Sequence, residues 1–285
     1  MTDSKTPTGD FSVRQAFELD GRVAVITGGA GLMGMKHAET IAEMGGIPVL
    51  LDLDGEMAAL RAKEITARYG ALAVGLAVDI TSPEQLDQAK DQIVTDFGGV
   101  HILINNAANN PKMGLNDDRE NSRLEDLPLD IWNQDLAVGL TGAFLCARTF
   151  GGLMAHGDGG VILNVASDLG LIAPDQRIYR QDGRDENRQP VKPVTYSVVK
   201  SGLIGLTRYL ATYWANQGVR CNAIAPGGIY TDQEQDFVRR LSNLIPMGRM
   251  AKPDEYKAAV AFLVSDASSY MTGSVMTIDG GRTCW

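Results

Sequence analysis

A tyrosine and a lysine four residues apart form a pair whose side chains could do chemistry together. Tyr196 and Lys200 stand in the segment Y-S-V-V-K, and on a helix residues at this spacing share one face. A neighbouring ammonium and an oxidised nicotinamide both favour the phenolate, so we expect the pKa of Tyr196 to be lowered. The phenolate could accept the proton of an alcohol while a hydride leaves for the nicotinamide. Taken alone, such a pair more often marks a solvated helix face, so its meaning depends on a dinucleotide site elsewhere.

A glycine-rich segment near the N-terminus predicts that dinucleotide site. T-G-G-A-G-L-M-G spans residues 27–34, directly after an apolar segment and before a helical pattern. Glycines let the chain turn tightly and bring a pyrophosphate against bare backbone N–H groups at the helix N-terminus. Gly28, Gly31 and Gly34 are therefore predicted cofactor contacts. A plain glycine-rich turn is the alternative, but it would not require this strand–turn–helix context.

An aspartate at the end of the second predicted strand indicates which dinucleotide is bound. Asp52 lies 18 residues after Gly34, where a carboxylate accepts hydrogen bonds from the ribose 2′-OH and repels a 2′-phosphate. The flanking sequence L-L-D-L-D-G-E-M contains no arginine or lysine. NAD is therefore favoured over NADP, and the alternative is that Asp52 only caps the next turn. Asp79, after the third predicted strand, is a weaker candidate for contacting the adenine.

Short apolar segments alternate with helical patterns along most of the chain. The predicted strands are 22–27, 47–52, 71–79, 101–106, 161–167, 219–225 and 275–279, and the predicted helices are 32–44, 55–69, one beginning at Ser82, 129–155, 194–217 and 253–265. Apolar strands without alternation predict a parallel sheet with helices on both faces. We therefore expect a doubly wound α/β fold of the Rossmann type with about seven strands. Such sheets bind ligands at the carboxyl ends of their strands, where Ser167 could hold a substrate oxygen.

The composition argues against several other classes of protein. The 285 residues carry a net charge of −9, which is unlike a general nucleic-acid binder. No run approaches the roughly 18 apolar residues of a membrane-spanning helix, and the N-terminus lacks the apolar core of a signal peptide. Three separated histidines predict no metal site, and three cysteines predict a reducing, cytoplasmic location. We expect a flexible arm over residues 1–17 and a single domain over 18–285.

Several ordered motifs resemble those of the short-chain dehydrogenase/reductase family over about residues 18–285. They are T-G-G-A-G-L-M-G, Asp79, N-N-A-A at 105–108, Ser167, Tyr196-x-x-x-Lys200, P-G-G-I-Y-T at 226–231 and the ending M-T-G…I-D-G-G. The resemblance implies that Tyr196 is the acid–base residue, that Lys200 binds the nicotinamide ribose and lowers the pKa of Tyr196, and that Ser167 steadies the reacting oxygen. It also implies a homotetramer. Together with the residues above, the expected NAD site comprises Gly28, Gly31, Leu32, Met33, Gly34, Asp52, Leu53, Asp79, Ile80, Asn106, Ala107, Ala108, Tyr196, Lys200, Pro226, Gly227, Ile229 and Thr231.

Three features depart from the family's pattern. The glycine spacing T-G-x-x-G-x-x-G is that of the longer sugar-nucleotide epimerase and dehydratase branch, although we expect no room in 285 residues for that branch's extra domain. Gly139 stands where the family has its catalytic asparagine. A proton relay through ordered water would then need another organiser, or could pass through backbone carbonyls alone. Ala108 replaces the last residue of the N-N-A-G motif.

A long polar insertion joins Ser167 to the predicted helix of Tyr196. It covers residues 168–192 and should lie over the active site because it connects two catalytic elements. A loop this long inside a compact domain is usually functional or disordered. The loop 109–123 is also polar. Two polar loops beside the expected active site favour a hydrophilic substrate over a steroid or a fatty acyl chain.

The predicted substrate contacts are Ser167, Asp168, Arg177, Arg180 and Tyr196. Arginine side chains suit carboxylate, phosphate or sulfonate groups, and polar side chains suit sugar hydroxyls. The alternative is that the charges of the insertion pair with one another or at a subunit contact.

These features predict an NAD-dependent oxidoreductase of a sugar-like alcohol. The hydride would come from a secondary alcohol or an anomeric hydroxyl, and the arginines would allow an anionic substrate. The insertion resembles bacterial members of the family linked to sugar and surface-polysaccharide metabolism. The alternatives are an NADP-linked carbonyl reductase, a sugar-nucleotide-modifying enzyme, or a non-catalytic dinucleotide-binding protein, against which Ser167, Tyr196 and Lys200 argue.

Overall fold

A single parallel sheet organises the chain, as shown by a computed structural model that describes residues 12–109 and 122–285. Its strands are β1 Val23–Thr27, β2 Ile47–Asp52, β3 Val74–Ala77, β4 Ile102–Asn105, β5 Gly160–Val165, β6 Val219–Pro226 and β7 Val275–Ile278. Every neighbouring pair is parallel, and the order is β3-β2-β1-β4-β5-β6-β7. The predicted doubly wound sheet is confirmed. The strand order reverses between β1 and β4, which opens a ligand crevice at their carboxyl ends.

The helices alternate with the strands. They are α1 Leu32–Glu43, α2 Gly55–Tyr69, α3 Pro83–Phe97, α4 Leu129–His156, α5 Val194–Tyr213, α6 Gln235–Ser242 and α7 Lys257–Val264. Within α4, two stretches of wider π-helical turns span Ala137–Thr141 and Ala147–Gly151. Such wider turns are frequent at functional sites.

Two apolar cores, one on each face of the sheet, explain the unalternating strands. In β1, Val25 points to the face covered by α3, α4 and α5, whereas Ile26 points to the face covered by α1, α2 and α7. The first core joins strand residues to helix residues such as Leu86, Phe150 and Leu210, all buried. Because both faces are covered, neither face of a central strand needs polar residues.

Several predicted boundaries differ from the structure at the ends of elements. β3 covers only Val74–Ala77 of the predicted 71–79, and its side chains are half-buried or exposed because it is the edge strand. α5 ends at Tyr213, and a 3₁₀ turn over Ala215–Gln217 completes the predicted helical span. The predicted start of α3 is confirmed, since the Ser82 hydroxyl accepts the backbone N–H of Gln85 at 3.3 Å.

α4 is long and apolar enough to cross a membrane by length and composition alone, which the sequence pattern did not predict. Its apolar residues Cys146, Phe150 and Met154 are buried in the core on one face of the sheet. A helix packed against the sheet of a folded domain passes the same test, so α4 gives only weak evidence of a membrane span.

Residues 12–19 lead into β1 along the outside of the domain. Phe17 packs against Phe262 of α7 with ring centroids 6.4 Å apart, and Leu19 is fully buried. Most of the predicted arm, residues 1–11, lies outside the described residues, so the boundary at residue 17 stays a prediction.

Candidate active site

The glycine-rich turn between β1 and α1 has the form of a phosphate-binding loop. Gly28 has φ +60°, a left-handed conformation that favours glycine. A Cβ on Gly34 would lie 2.2 Å from the carbonyl oxygen of Gly28, so only glycine lets α1 begin this close to the turn. Leu32 is half exposed at the first position of α1. The turn therefore leaves the N-terminus of α1 accessible, and its glycines fit a dinucleotide pyrophosphate.

A side chain at the end of β4 fixes this turn. The Asn106 amide donates to the carbonyl oxygens of Thr27 at 2.9 Å and Gly28 at 3.2 Å. In return, the Thr27 hydroxyl accepts the backbone N–H groups of Asn106 and Ala107, each at 3.0 Å. The ends of β1 and β4 are thereby held together at the crevice. This places the predicted cofactor residues Asn106 and Ala107 directly beside the glycine turn.

Asp52 faces the same turn from the end of β2. One of its carboxylate oxygens accepts the backbone N–H of Ala30 at 3.1 Å, and the other accepts that of Asp54 at 3.2 Å. The capping role considered as an alternative is therefore present. It does not exclude ribose binding, because each carboxylate oxygen can accept a further hydrogen bond. The adjacent Leu53 side chain is 74% exposed.

Two other predicted cofactor segments lie along the same edge. The Asp79 carboxylate accepts both the backbone N–H and the hydroxyl of Thr81, at 2.8 and 2.7 Å, and Ile80 is buried against Gly142 of α4. After β6, Gly227 approaches Asp279 so closely that a Cβ would lie 2.8 Å from its Cα. The loop continues through Ile229, which pairs with Ala251, to Thr231, which donates its N–H to Gln233.

Tyr196, Lys200 and Ser167 meet where β5 ends against α5. Lys200 is buried, and its ammonium donates to the carbonyl oxygen of Val165 at 2.7 Å. The same ammonium lies 5.7 Å from the centre of the Tyr196 ring. Ser167, also buried, follows β5 directly, and its hydroxyl interacts with the phenol. The three predicted catalytic residues are thus brought together beside the β1–β4 crevice.

Burial dominates the electrostatics at Tyr196. Burial raises the pKa of the Tyr196 phenol, the charge of Asp168 raises it further, and the Ser167 hydroxyl opposes this rise. Burial, together with the charge of Lys192, lowers the pKa of Lys200 to about 8. In the protein alone the pKa of Tyr196 is therefore raised, mainly by burial. The expected lowering, which includes the charge of an oxidised nicotinamide, stays a prediction.

Sequence profiles of known families match most of the chain. A profile described as short chain dehydrogenase matches residues 22–179, and one described as enoyl-(acyl carrier protein) reductase matches residues 185–283. The first profile alone spans more than half of the chain. The chain belongs to the short-chain dehydrogenase/reductase family. It is therefore an oxidoreductase of the kind that binds a nicotinamide dinucleotide.

Individual relatives in the short-chain dehydrogenase/reductase family match over nearly the whole length. D-threitol dehydrogenase of Mycolicibacterium smegmatis is 34% identical over 98% of this chain and 99% of its own. NAD-dependent glycerol dehydrogenase of Listeria innocua is 32% identical over 94% of this chain and 96% of its own. The crystal structure of a short-chain type dehydrogenase/reductase from Mycobacterium marinum superposes with a TM-score of 0.82 at 30% identity, covering 96% of this chain and all of the other.

A buried ion pair that the sequence did not reveal adjoins the family's serine. The Ser167 hydroxyl donates to one oxygen of Asp168 at 2.8 Å, and Arg282 donates to the other at 2.7 Å. Both charged side chains are almost completely buried. Arg282 comes from the C-terminal 3₁₀ turn Arg282–Cys284, so the end of the chain closes one side of the site. No local motif signals this contact, since the partners are 114 positions apart.

A second lysine, also absent from our sequence predictions, lies against the family's tyrosine. The Lys192 ammonium sits 3.8 Å from the centre of the Tyr196 ring. Burial lowers the pKa of Lys192 to about 8, and the carboxylates of Asp168 and Asp135 oppose that shift. The spacing K-x-x-x-Y-x-x-x-K over 192–200 was a signal that could have found it.

The predicted substrate arginines of the insertion have partners within the insertion itself. Arg177 donates two hydrogen bonds to the carboxylate of Asp175, at 2.9 and 2.7 Å, and its side chain is 83% exposed. Arg180 forms a two-point ion pair with Glu186. These contacts correspond to the alternative in which the insertion's charges pair with one another. The substrate roles of Arg177 and Arg180 stay predictions.

The insertion packs on α6 rather than spreading over open solvent. Tyr179 lies against Phe237 with ring centroids 5.6 Å apart, and Arg240 donates to the carbonyl oxygen of Arg180. Ile178 is buried in the same small core with Leu241. The part of the predicted polar loop at residues 110–121 lies outside the described residues. Among those described, no group of three or more His, Cys, Asp and Glu side chains could hold a metal ion.

Gly139, which replaces the family's asparagine, lies in the first wider turn of α4. A Cβ at this position would lie 2.5 Å from Cγ1 of Val199, well inside van der Waals contact. An asparagine at residue 139 would therefore require the Val199 side chain to move. Ala108, the other substitution in a family motif, lines the same small space as Gly139 and Tyr196.

Proposed function

We propose that the protein is an NAD-dependent dehydrogenase that oxidises a secondary alcohol or anomeric hydroxyl of a polyol or sugar, including substrates with an anionic group. The observation that carries the proposal is the convergence of Ser167, Tyr196 and Lys200 beside the glycine turn of β1. A screen of coenzyme reduction across polyols, sugars, sugar acids, steroids and acyl thioesters tests it directly. Preference for steroids or acyl chains would overturn the substrate class.

In this proposal each catalytic side chain has a distinct task. A bound nicotinamide would accept the hydride. Tyr196 would take the hydroxyl proton of the alcohol, and Ser167 would hold the reacting oxygen at the end of β5. Lys200 is fixed through its bond to Val165, so its charge stays beside the phenol while its other N–H groups remain available to bind the ribose. The positive charges at the site would then offset the burial that disfavours the phenolate.

The polarity of the site supports a hydroxylated substrate. Next to Ser167 and Tyr196 lie the carboxylate of Asp168 and the cations Lys192 and Arg282. A site lined by such charged groups suits hydroxyls, which both donate and accept hydrogen bonds, better than it suits an apolar acyl chain. Relatives named for threitol and glycerol oxidation agree with this choice. One matching profile is described as an enoyl-(acyl carrier protein) reductase, which suggests an acyl substrate as the alternative. The substrate screen distinguishes this alternative from a polyol or sugar.

The coenzyme preference should depend on Asp52. We expect the wild-type protein to use NAD with a kcat/KM on the order of 10² or more above that for NADP, because a carboxylate near a 2′-phosphate costs several kcal/mol. Asp52→Ser should reduce the NAD/NADP ratio by about tenfold or more, since each 1.4 kcal/mol is tenfold. Steady-state kinetics with both coenzymes measure the ratio.

Asp54→Ser is the matched control for the coenzyme measurement. Asp54 is an exposed carboxylate two positions away that caps α2 through the N–H of Met57 at 2.9 Å. Its replacement should leave the NAD/NADP ratio unchanged. Equal use of both coenzymes by the wild-type protein would refute the role given to Asp52.

Lys192 should determine the response to substrate charge. Lys192→Gln is expected to lower kcat/KM for a sugar acid about tenfold more than for the matching neutral polyol, because hydrogen bonds to charged groups contribute about 1.5–3 kcal/mol. The comparison needs kcat/KM for each substrate of the pair, with the exposed Lys63→Gln as the control. An equal loss for both substrates would show that Lys192 acts on Tyr196 instead of on substrate charge.

We also propose a homotetramer, as the family resemblance implies. Tyr209 and Tyr213 of α5 are exposed and stacked with ring centroids 5.5 Å apart. On α4, Phe144 is 47% exposed. Exposed aromatic side chains on long helices are typical of subunit contacts, which supports the proposal.

A further inference from the structure

A small cavity lies between α4 and α5, directly beside Tyr196 and Lys200. Its free volume of about 10 Å³ leaves room for about one water molecule. Three polar side chains line it besides the catalytic pair: Asp135 of α4, Asn109 after β4 and Thr195 of α5. A buried water needs two to four polar partners, and this lining can supply them.

Gly139 and Val199 also line this cavity. Gly139 contributes no side chain, and Val199 lies where a Cβ at residue 139 would point. The polar group that α4 does present is Asp135, four positions earlier and so on the same helical face. An aspartate one turn away thus supplies the polar contact that residue 139 cannot supply.

The Asp135 carboxylate is held in place from two sides. The Thr195 hydroxyl donates to one oxygen at 2.6 Å, and the Asn109 amide donates to the other at 3.2 Å. Thr195 is fully buried and immediately precedes Tyr196, which ties the carboxylate to the catalytic helix. Asp135 itself is only half-buried, so the residue lies between the cavity and solvent. The side chain therefore joins the cavity to the outside.

We propose that Asp135 is the positioning residue of a proton outlet, in which one water in this cavity connects Lys200 to the Asp135 carboxylate. The inference rests on the proposed dehydrogenase function. Each alcohol oxidised gives a hydride to the nicotinamide and a proton to Tyr196, and that proton must leave before the next turnover. Lys200 passes a proton to the water, the water passes one to Asp135, and Lys200 regains its proton from Tyr196. The carboxylic acid then releases its proton to solvent, so no group on the protein is oxidised or reduced.

Asp135→Asn tests the outlet because it removes the proton acceptor and keeps the size and shape of the side chain. We expect steady-state turnover to fall on the order of tenfold, less than the 10²–10⁴-fold loss typical of a direct acid–base residue. Stopped-flow measurement with a pH indicator should show proton release lagging behind coenzyme reduction. Added formate should restore turnover in proportion to its concentration, since a small carboxylate can replace the missing acceptor.

Two control variants separate proton transfer from a structural role. Thr195→Val breaks the contact to Asp135 but keeps the carboxylate, so proton release should keep pace with coenzyme reduction. Asp130→Asn, at an exposed position in the first turn of α4, should leave all kinetics unchanged. Wild-type kinetics in the Asp135→Asn protein would overturn the inference. So would an Asp135→Asn protein that is slowed only as much as Thr195→Val and does not respond to formate. In both cases the proposed dehydrogenase function would still stand. Failure of the wild-type protein to reduce NAD with any alcohol would overturn the proposed function and the inference with it.

Discussion

Tyr196→Phe is expected to reduce turnover by at least 10²–10⁴-fold, the range in which general acid–base groups contribute. The substitution removes only the phenolic oxygen, so the ring keeps its packing against Lys192 and Lys200. No other described side chain both adjoins Ser167 and lies one helical turn from Lys200. Without the oxygen, the alcohol proton has no acceptor as the hydride leaves. The measurement is kcat with the best substrate from the panel.

Binding of NAD distinguishes loss of catalysis from loss of structure. Calorimetric titration should give the same NAD affinity for the Tyr196→Phe protein as for the wild type, because the glycine turn and Asp52 are untouched. Tyr270→Phe serves as the control, since Tyr270 is fully exposed and has neither a catalytic nor a subunit-contact role in our proposal. Turnover that survives in the Tyr196→Phe protein would show that the proposed base is wrong.

The chemistry at Tyr196 depends on a balance between burial and charge. Burial raises the pKa of the phenol, and it also lowers the pKa of both neighbouring lysines to about 8. Burial therefore makes the charged forms of Tyr196, Lys192 and Lys200 less stable. It also strengthens each remaining charge interaction, because screening by water is weak there. The proton acceptor becomes effective only when enough positive charge is assembled around it.

The sheet and the cofactor turn could be predicted from the sequence because their signals are local. Buried strands appear as apolar runs, and the turn at Gly28 and Gly34 needs glycine for steric reasons visible in the backbone. Ser167 and Tyr196 could be predicted to meet because both follow from the order of elements in a doubly wound fold. The ends of β3 and α5 could not be predicted in the same way, since the limits of edge strands and helices are decided by packing.

Two of the contacts that the sequence did not reveal join residues far apart in the chain. Asp135 meets Thr195 across 60 positions, and Arg282 meets Asp168 across 114. No periodicity or spacing encodes such contacts. Arg177 and Arg180 show a different limit of sequence analysis. As arginines they were predicted to bind substrate, but in the structure they bind carboxylates of the same insertion. The charge of a loop residue shows which kinds of group it could bind. Which of those groups it contacts depends on the folded structure.

Arg282→Met is expected to lower the free energy of unfolding by about 3–5 kcal/mol, the usual cost of leaving one member of a buried ion pair without its partner. The Asp168 carboxylate would remain buried beside Ser167, with its second oxygen no longer bound by the guanidinium. Methionine fills much of the volume of the arginine stem, so the loss reflects charge more than packing. Urea denaturation, at one fixed protein concentration, measures the difference.

The exposed pair of Arg177 and Asp175 is the matched control for this measurement. Arg177→Met should lower the free energy of unfolding much less than Arg282→Met does, because exposed ion pairs contribute little. Adding Asp168→Asn to Arg282→Met should recover part of the lost stability, since it removes the unpaired charge. The recovered stability should not restore kcat, because the amide is a weaker acceptor for the Ser167 hydroxyl than the carboxylate. If Arg282→Met is no more destabilising than Arg177→Met, the buried contact between Arg282 and Asp168 does not stabilise this part of the fold in the way we expect.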